Sequence, residues 1–143
     1  MRPTREQDLV VLLSLIRLLQ TDLRAAMDRL HAQTGTTGSD RAQLELLADH
    51  GPMTVPGLAR EQDVTRQHVQ VVCDGLHGKG LIEWLDNPAH KRSRLAAITN
   101  AGYKLIDQAR MRESRWMLDL AGTFSASGLE EARRTLEALR RRL

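Results

Sequence analysis

Apolar residues along this chain recur mostly at helical spacing, with one short strand-like interval past the middle. From residue 7 to 31, Leu9, Leu12, Leu13, Ile16, Leu19, Leu23, Met27 and Leu30 share one side of a long helix. Leu15 and Leu18 widen that stripe beyond what one partner helix would cover. Gly35-Thr36-Thr37-Gly38 then breaks the chain. Asp40-x-x-Gln43 reads as a capping box for a helix through Leu44, Leu46 and Leu47 that closes at His50-Gly51. Pro56 suits the first position of a short third helix, where its missing N–H costs nothing, and Gln62-Asp63 supplies the turn after it. Thr65 is placed to cap a fourth helix, in which Val69, Val72, Cys73 and Leu76 follow i, i+3, i+4, i+7. Gly78 and Gly80 are the stop signals of that helix. Residues 81–85 and 95–98 are short strand-like runs. Thr99 then caps a helix through Tyr103, Leu105, Ile106, Ala109, Trp116, Met117 and Leu120. Ser127-x-x-Glu130 caps a final helix, where Leu129, Ala132, Leu136, Leu139 and Leu143 repeat at coiled-coil-like spacing. Such a seam fits packing within one chain or between two.

The order helix, turn, helix, hairpin across residues 54–99 predicts a winged helix-turn-helix, with one helix entering the DNA major groove and the hairpin beside it. The polar face of the fourth helix carries Arg66, Gln67, Gln70 and Asp74, with His68 at its flank and Val71 near its middle. Flat hydrogen-bonding groups of this kind meet base edges: Gln suits adenine, Arg suits guanine or phosphate, and an apolar Val suits a thymine methyl. Between the strands, Asn87-Pro88 marks a turn, and Lys91, Arg92 and Arg94 place positive charge at a hairpin tip. Arg92 is placed to enter the minor groove. Asp86, at the foot of the hairpin, is placed to hold an arginine. The plainer alternative is an amphipathic helix with an ordinary solvated face beside a surface hairpin that happens to be basic.

These residues resemble those of MarR-type transcriptional regulators, and the resemblance covers nearly the whole chain. It is carried by Leu58-Ala59, by Leu76-His77-Gly78-Lys79-Gly80-Leu81-Ile82, by Asp86 with Pro88-Ala89-His90-Lys91-Arg92-Ser93, and by Leu95-Ala96-Ala97-Ile98-Thr99 with Gly102. It implies a mainly α fold of about six helices with a two- to three-stranded β-wing. Residues 1–34 and 100–143 would form a dimerisation region, and residues 40–99 a DNA-binding lobe. It also implies a homodimer on a pseudo-palindromic operator, acting as a repressor that a small-molecule effector releases. The candidate DNA-binding residues are Thr65, Arg66, Gln67, His68, Gln70, Val71, His90, Lys91, Arg92 and Arg94. Family members commonly have aspartate where His90 stands, then a basic residue, here Lys91, then the wing arginine, here Arg92. His90 either is a tolerated loop change or adds a positive charge that titrates near pH ~6.5. Some relatives of this type sense thiol chemistry, but Cys73 lies on an apolar helix face and reads as a small core residue. Trp84 and Trp116 are open to either packing or pocket lining.

Composition changes this picture little. The 143 residues suit one domain with a modest core, and with aromatics at 3% that core rests on Leu, Val, Ile and Ala. Residues 55–98 hold Arg60, Arg66, Lys79, Lys91, Arg92 and Arg94 against Glu61, Asp63, Asp74, Glu83 and Asp86, so DNA binding would depend on where charges point. The first residues, Met1 to Asp8, lack the apolar core of a secretory leader, and the single cysteine is consistent with the cytoplasm. No phosphate-binding glycine loop, zinc-ligand spacing or nucleophile motif is present, so neither an enzyme nor a cofactor is expected, and no membrane partner. Two classes remain: a dimeric DNA-binding regulator, or a winged-helix module that docks a protein. A docking surface would carry exposed apolar anchors on the fourth helix, where only Val71 qualifies.

Overall fold

The computed structural model describes residues 4–143. Met1, Arg2 and Pro3, which open the segment read above as lacking a leader, lie outside the described residues. The element order is α1 (Arg5–Leu30), a 3-10 turn (Ala32–Thr34), α2 (Gly38–His50), β1 (Met53–Thr54), α3 (Val55–Gln62), α4 (Arg66–Gly78), β2 (Ile82–Leu85), β3 (Leu95–Ile98), α5 (Asn100–Ala121) and α6 (Ala126–Arg140). This is the mainly α winged helix-turn-helix expected from the sequence, with a three-stranded wing sheet. The chain divides into two compact units, Met1–Gln108 and Ala109–Leu143.

In the first unit, α2, α3 and α4 enclose a core of Leu44, Leu47, Leu58, Ala59, Val69, Cys73 and Leu76, closed by Ile82, Ala96 and Ile106. All four apolar positions of the fourth helix face inward, as their spacing requires. The sheet is antiparallel in the order β1-β3-β2, with Met53 opposite Ala96 and Trp84 opposite Ala96 from the other side. Residues 53 and 54, a strand too short to show as a periodic run, complete the sheet. Along α1 no residue is buried, and Leu9, Val10, Val11, Leu15, Leu18, Leu19 and Leu23 are all exposed.

In the second unit, α6 also buries nothing, and Leu129 and Leu136 of the predicted seam are exposed. Arg133 bridges Glu130 and Glu137, and Arg134 reaches Glu130, along the polar face. These guanidinium contacts lower the Glu130 carboxyl below its usual range and raise Arg133.

Several helix ends differ from the sequence reading. Thr37, not Asp40, caps α2: its hydroxyl accepts from the Asp40 N–H at 3.1 Å, and Asp40 returns the bond to the Thr37 N–H at 3.0 Å. The extended residue takes the cap, and the acid becomes the third helical residue of the box. Ser125, not Ser127, caps α6 by accepting from the Gly128 N–H at 3.1 Å. Pro56 is the second helical residue of α3, after Val55, with Thr54 as cap. Gly78 remains inside α4, and Gly80, at φ 71, makes the left-handed exit.

Candidate nucleic-acid interface

The candidate site is built on the outer face of α4. Thr65 is extended at φ −72 and ψ 147, and its hydroxyl accepts from the His68 N–H at 3.1 Å, starting the helix where the sequence predicts. Burial of Val69, Val72, Cys73 and Leu76 turns Arg66, Gln67, Gln70 and Asp74 outward. An open cleft of about 560 Å³ lies between that face and the wing, where Arg66, Gln67, Gln70 and Asp74 meet Arg92 and Arg94. Three guanidinium groups and one carboxylate in a single cleft make a locally basic surface, although the lobe as a whole is nearly balanced.

The wing loop is folded by hydrogen bonds among its own residues. Asn87 Oδ1 accepts from the Ala89 N–H at 3.1 Å, the Asn87 carbonyl accepts from the His90 N–H at 3.2 Å, and the His90 carbonyl accepts from the Ser93 N–H at 3.1 Å. Lys91 and Arg92 therefore occupy the two central positions of the second turn, and both are exposed. Arg94 lies against an aromatic ring. Its guanidinium carbon lies 5.3 Å from the centre of the Trp84 ring, while no ion pair joins Asp86 to an arginine among the described residues. Trp84 stands opposite Ala96, which makes Arg94 its diagonal neighbour across the strands, within reach of a cation–π contact.

Of the ten sequence candidates, Arg66, Gln67, Gln70, Arg92 and Arg94 come together in this cleft. Thr65 sits at the helix cap, Val71 is 67% exposed on the helix, and His90 and Lys91 are exposed on the wing loop. His68 lines a different cleft of about 590 Å³, with Arg24 and Asp28 of α1, Thr37 at the start of α2, and Gln62 and Val64 before α4. Trp84 and Asp74 join the site although neither was among the candidates. Asp74 was already legible as a member of the polar face; Trp84 required the strand register.

Residues 34–93 match the family model described as MarR family. A crystal structure of a MarR family transcription regulator is 28% identical, superposes with a TM-score of 0.87, and is matched over 94% of this chain and 89% of its own. Uncharacterized proteins of Mycobacterium bovis and Mycobacterium tuberculosis are each 31% identical over 117 residues, 82% of this chain and 81% of theirs. The chain belongs to the MarR family.

The Staphylococcus aureus regulator MepR, at 20% identity over 87% of this chain and 93% of its own, shares the fold with a TM-score of 0.76. In this MarR protein Cys73 is fully buried, and burial first, then the Asp74 charge, pushes its thiol up to about 11. At neutral pH it is a protonated core group rather than a reactive thiolate. No helix of the described residues is long and apolar enough to cross a membrane.

Proposed function

We propose that this MarR-family protein is a sequence-specific DNA-binding repressor that acts as a homodimer on a pseudo-palindromic operator. The observation that carries the reading is the meeting of Arg66, Gln67 and Gln70 with Arg92 and Arg94 in one open cleft. The helix supplies groups that read base edges, and the wing supplies cations that hold phosphates or enter the minor groove. Thr65, Val71, His90 and Lys91 flank that surface and make the peripheral contacts.

The dimer reading is supported by α1, where a long helix exposes a run of large apolar side chains. A second copy laid on those residues removes them from water and sets two reading helices about 34 Å apart, one major groove after the next. In this arrangement α1 and the terminal helices dimerise, and residues 40–99 read DNA. The cleft lined by Arg24, Asp28 and His68 lies between α1 and the start of α4. A small-molecule effector seated there separates or rotates the two elements, and so releases the operator.

A mobility-shift titration on the duplex flanking the protein's own gene tests this, run against a scrambled duplex at several salt concentrations. The expected result is preferential retention of the natural duplex, lost on Arg92→Ala in a variant that keeps its helical circular dichroism. Equal binding to both duplexes, or an unchanged affinity in Arg92→Ala, rejects the reading.

A further inference from the structure

Gln70 and Asp74 stand one turn apart on the outer face of α4, and Gln70 Nε2 donates to Asp74 Oδ1 at 2.9 Å. Both line the cleft that also holds Arg66, Arg92 and Arg94. The two ends of a glutamine amide are nearly alike in shape, and its last torsion turns at little cost, so an exposed glutamine offers either end to a partner. Asp74 removes that freedom. An ionised carboxylate only accepts, so the nitrogen end must lie against it with one of its two N–H groups; that fixes which end is the oxygen, and the carbonyl oxygen is left, with the second N–H, to meet a base.

Charge makes the same point. A carboxylate on a surface that meets phosphates weakens DNA binding wherever it makes no compensating contact. Here it spends its charge on orienting a neutral neighbour. We propose that Asp74 is a positioning residue that locks the polarity of Gln70, so that this helix position selects a base with an exocyclic amino group in the major groove. Adenine N6 and cytosine N4 both offer that donor, whereas guanine O6 and thymine O4 present acceptors toward Gln70 Oε1 and the carboxylate. This inference rests on the DNA-reading function proposed above.

Selection from a randomised duplex library, with sequencing of the bound fraction, tests it on the full-length protein. The wild type is expected to enrich adenine or cytosine over guanine and thymine at one position per half-site, by about five- to hundredfold. The A-to-C ratio at that position tells which amino base is read. Gln70→Ala flattens that position alone. Asp74→Ala and Asp74→Asn flatten the same position while leaving the rest of the enriched sequence intact, because the amide is free to present either end. Asp74→Glu keeps an acceptor in reach and retains the preference. A merely structural Asp74 would lower affinity across all positions and leave the base ratio unmoved. If Asp74→Ala and Asp74→Asn, both folded, keep the wild-type ratio, the polarity lock is overturned and the DNA-reading function stands. If the wild type itself enriches no sequence, the DNA-reading function falls, and this inference with it.

Discussion

Lys79 Nζ lies 2.9 Å from Asp40 Oδ2, so the residue that caps the end of α4 is fastened to the first turn of α2. The same ammonium donates to the Gly35 carbonyl at 3.0 Å, and Asp40 Oδ2 also accepts from the Thr37 N–H. The next residue, Arg41, is buried, donates to the Thr36 carbonyl at 3.0 Å and faces Asp28 of α1 at 3.7 Å. Adjacent residues of α2 thus hold α4 on one side and α1 with its following loop on the other. The Asp28 contact is weak because that carboxylate is mostly exposed. The Asp40 contact matters more, because the Asp40 carboxylate is buried and depends on its partners.

Lys79→Met is therefore expected to destabilise the fold by about 1–3 kcal/mol, since it leaves Asp40 with only its capping bond. Urea unfolding reads this as a lower midpoint at unchanged slope. Pairing it with Asp40→Asn should recover part of the loss; a strictly additive double variant would show that the two groups do not interact.

Affinity and specificity should separate within the cleft and its rim. Gln70→Ala should cost about 1–3 kcal/mol on the operator and little on scrambled duplex. Lys91→Ala, on the exposed wing turn, should weaken both duplexes alike and make the slope of log K against log salt shallower by about one unit. Equal losses on both duplexes for Gln70→Ala would mean that another face of α4 reads the bases.

Removing residues 128–143 deletes Leu129, Leu136, Leu139 and Leu143 together. Light scattering on the truncated chain should show monomer or aggregate in place of the dimer proposed for the full chain. A soluble, fully dimeric truncation would place the dimer contact elsewhere.

Gly102 lies where α5 leaves the wing. A Cβ there would collide with the Leu81 carbonyl and come within 2.6 Å of Ile98 Cγ1. Gly102→Ala should therefore lower stability by about 1–3 kcal/mol through forced displacement of β3 or the first turn of α5. Thermal melting checks this, and an unchanged melting temperature would mean that the backbone gives way freely.

Cys73 should be inert to thiol reagents in the native protein at pH 8 and react on unfolding. Its pKa is raised to about 11 in the fold, so the folded state keeps a proton that the unfolded chain loses near pH 9. The stabilisation is complete below about pH 9 and is lost as pH rises toward 11. Relative to Cys73→Ala, the wild type should lose stability over that alkaline range. Parallel pH profiles for the two proteins would contradict the shift.

Local spacing alone determined the helices, the inward face of α4 and the polar face opposite it. A 3.6-residue repeat fixes which side chains share a side before any tertiary contact forms. The caps were less legible: Thr37 and Asp40, or Ser125 and Ser127, are all competent capping residues, and the choice depends on which one the incoming chain leaves extended. Only the tertiary structure decided that Arg94 lies over Trp84, because the contact depends on a strand register set by the two successive turns of the wing loop. It also decided that His68 faces the cleft beside α1, away from Arg66 and Gln70 on the same helix. Helical periodicity orders residues around one axis, but it carries no information on which neighbouring element lies against each side. That is settled by packing between segments far apart in the chain, as Lys79 and Asp40 are.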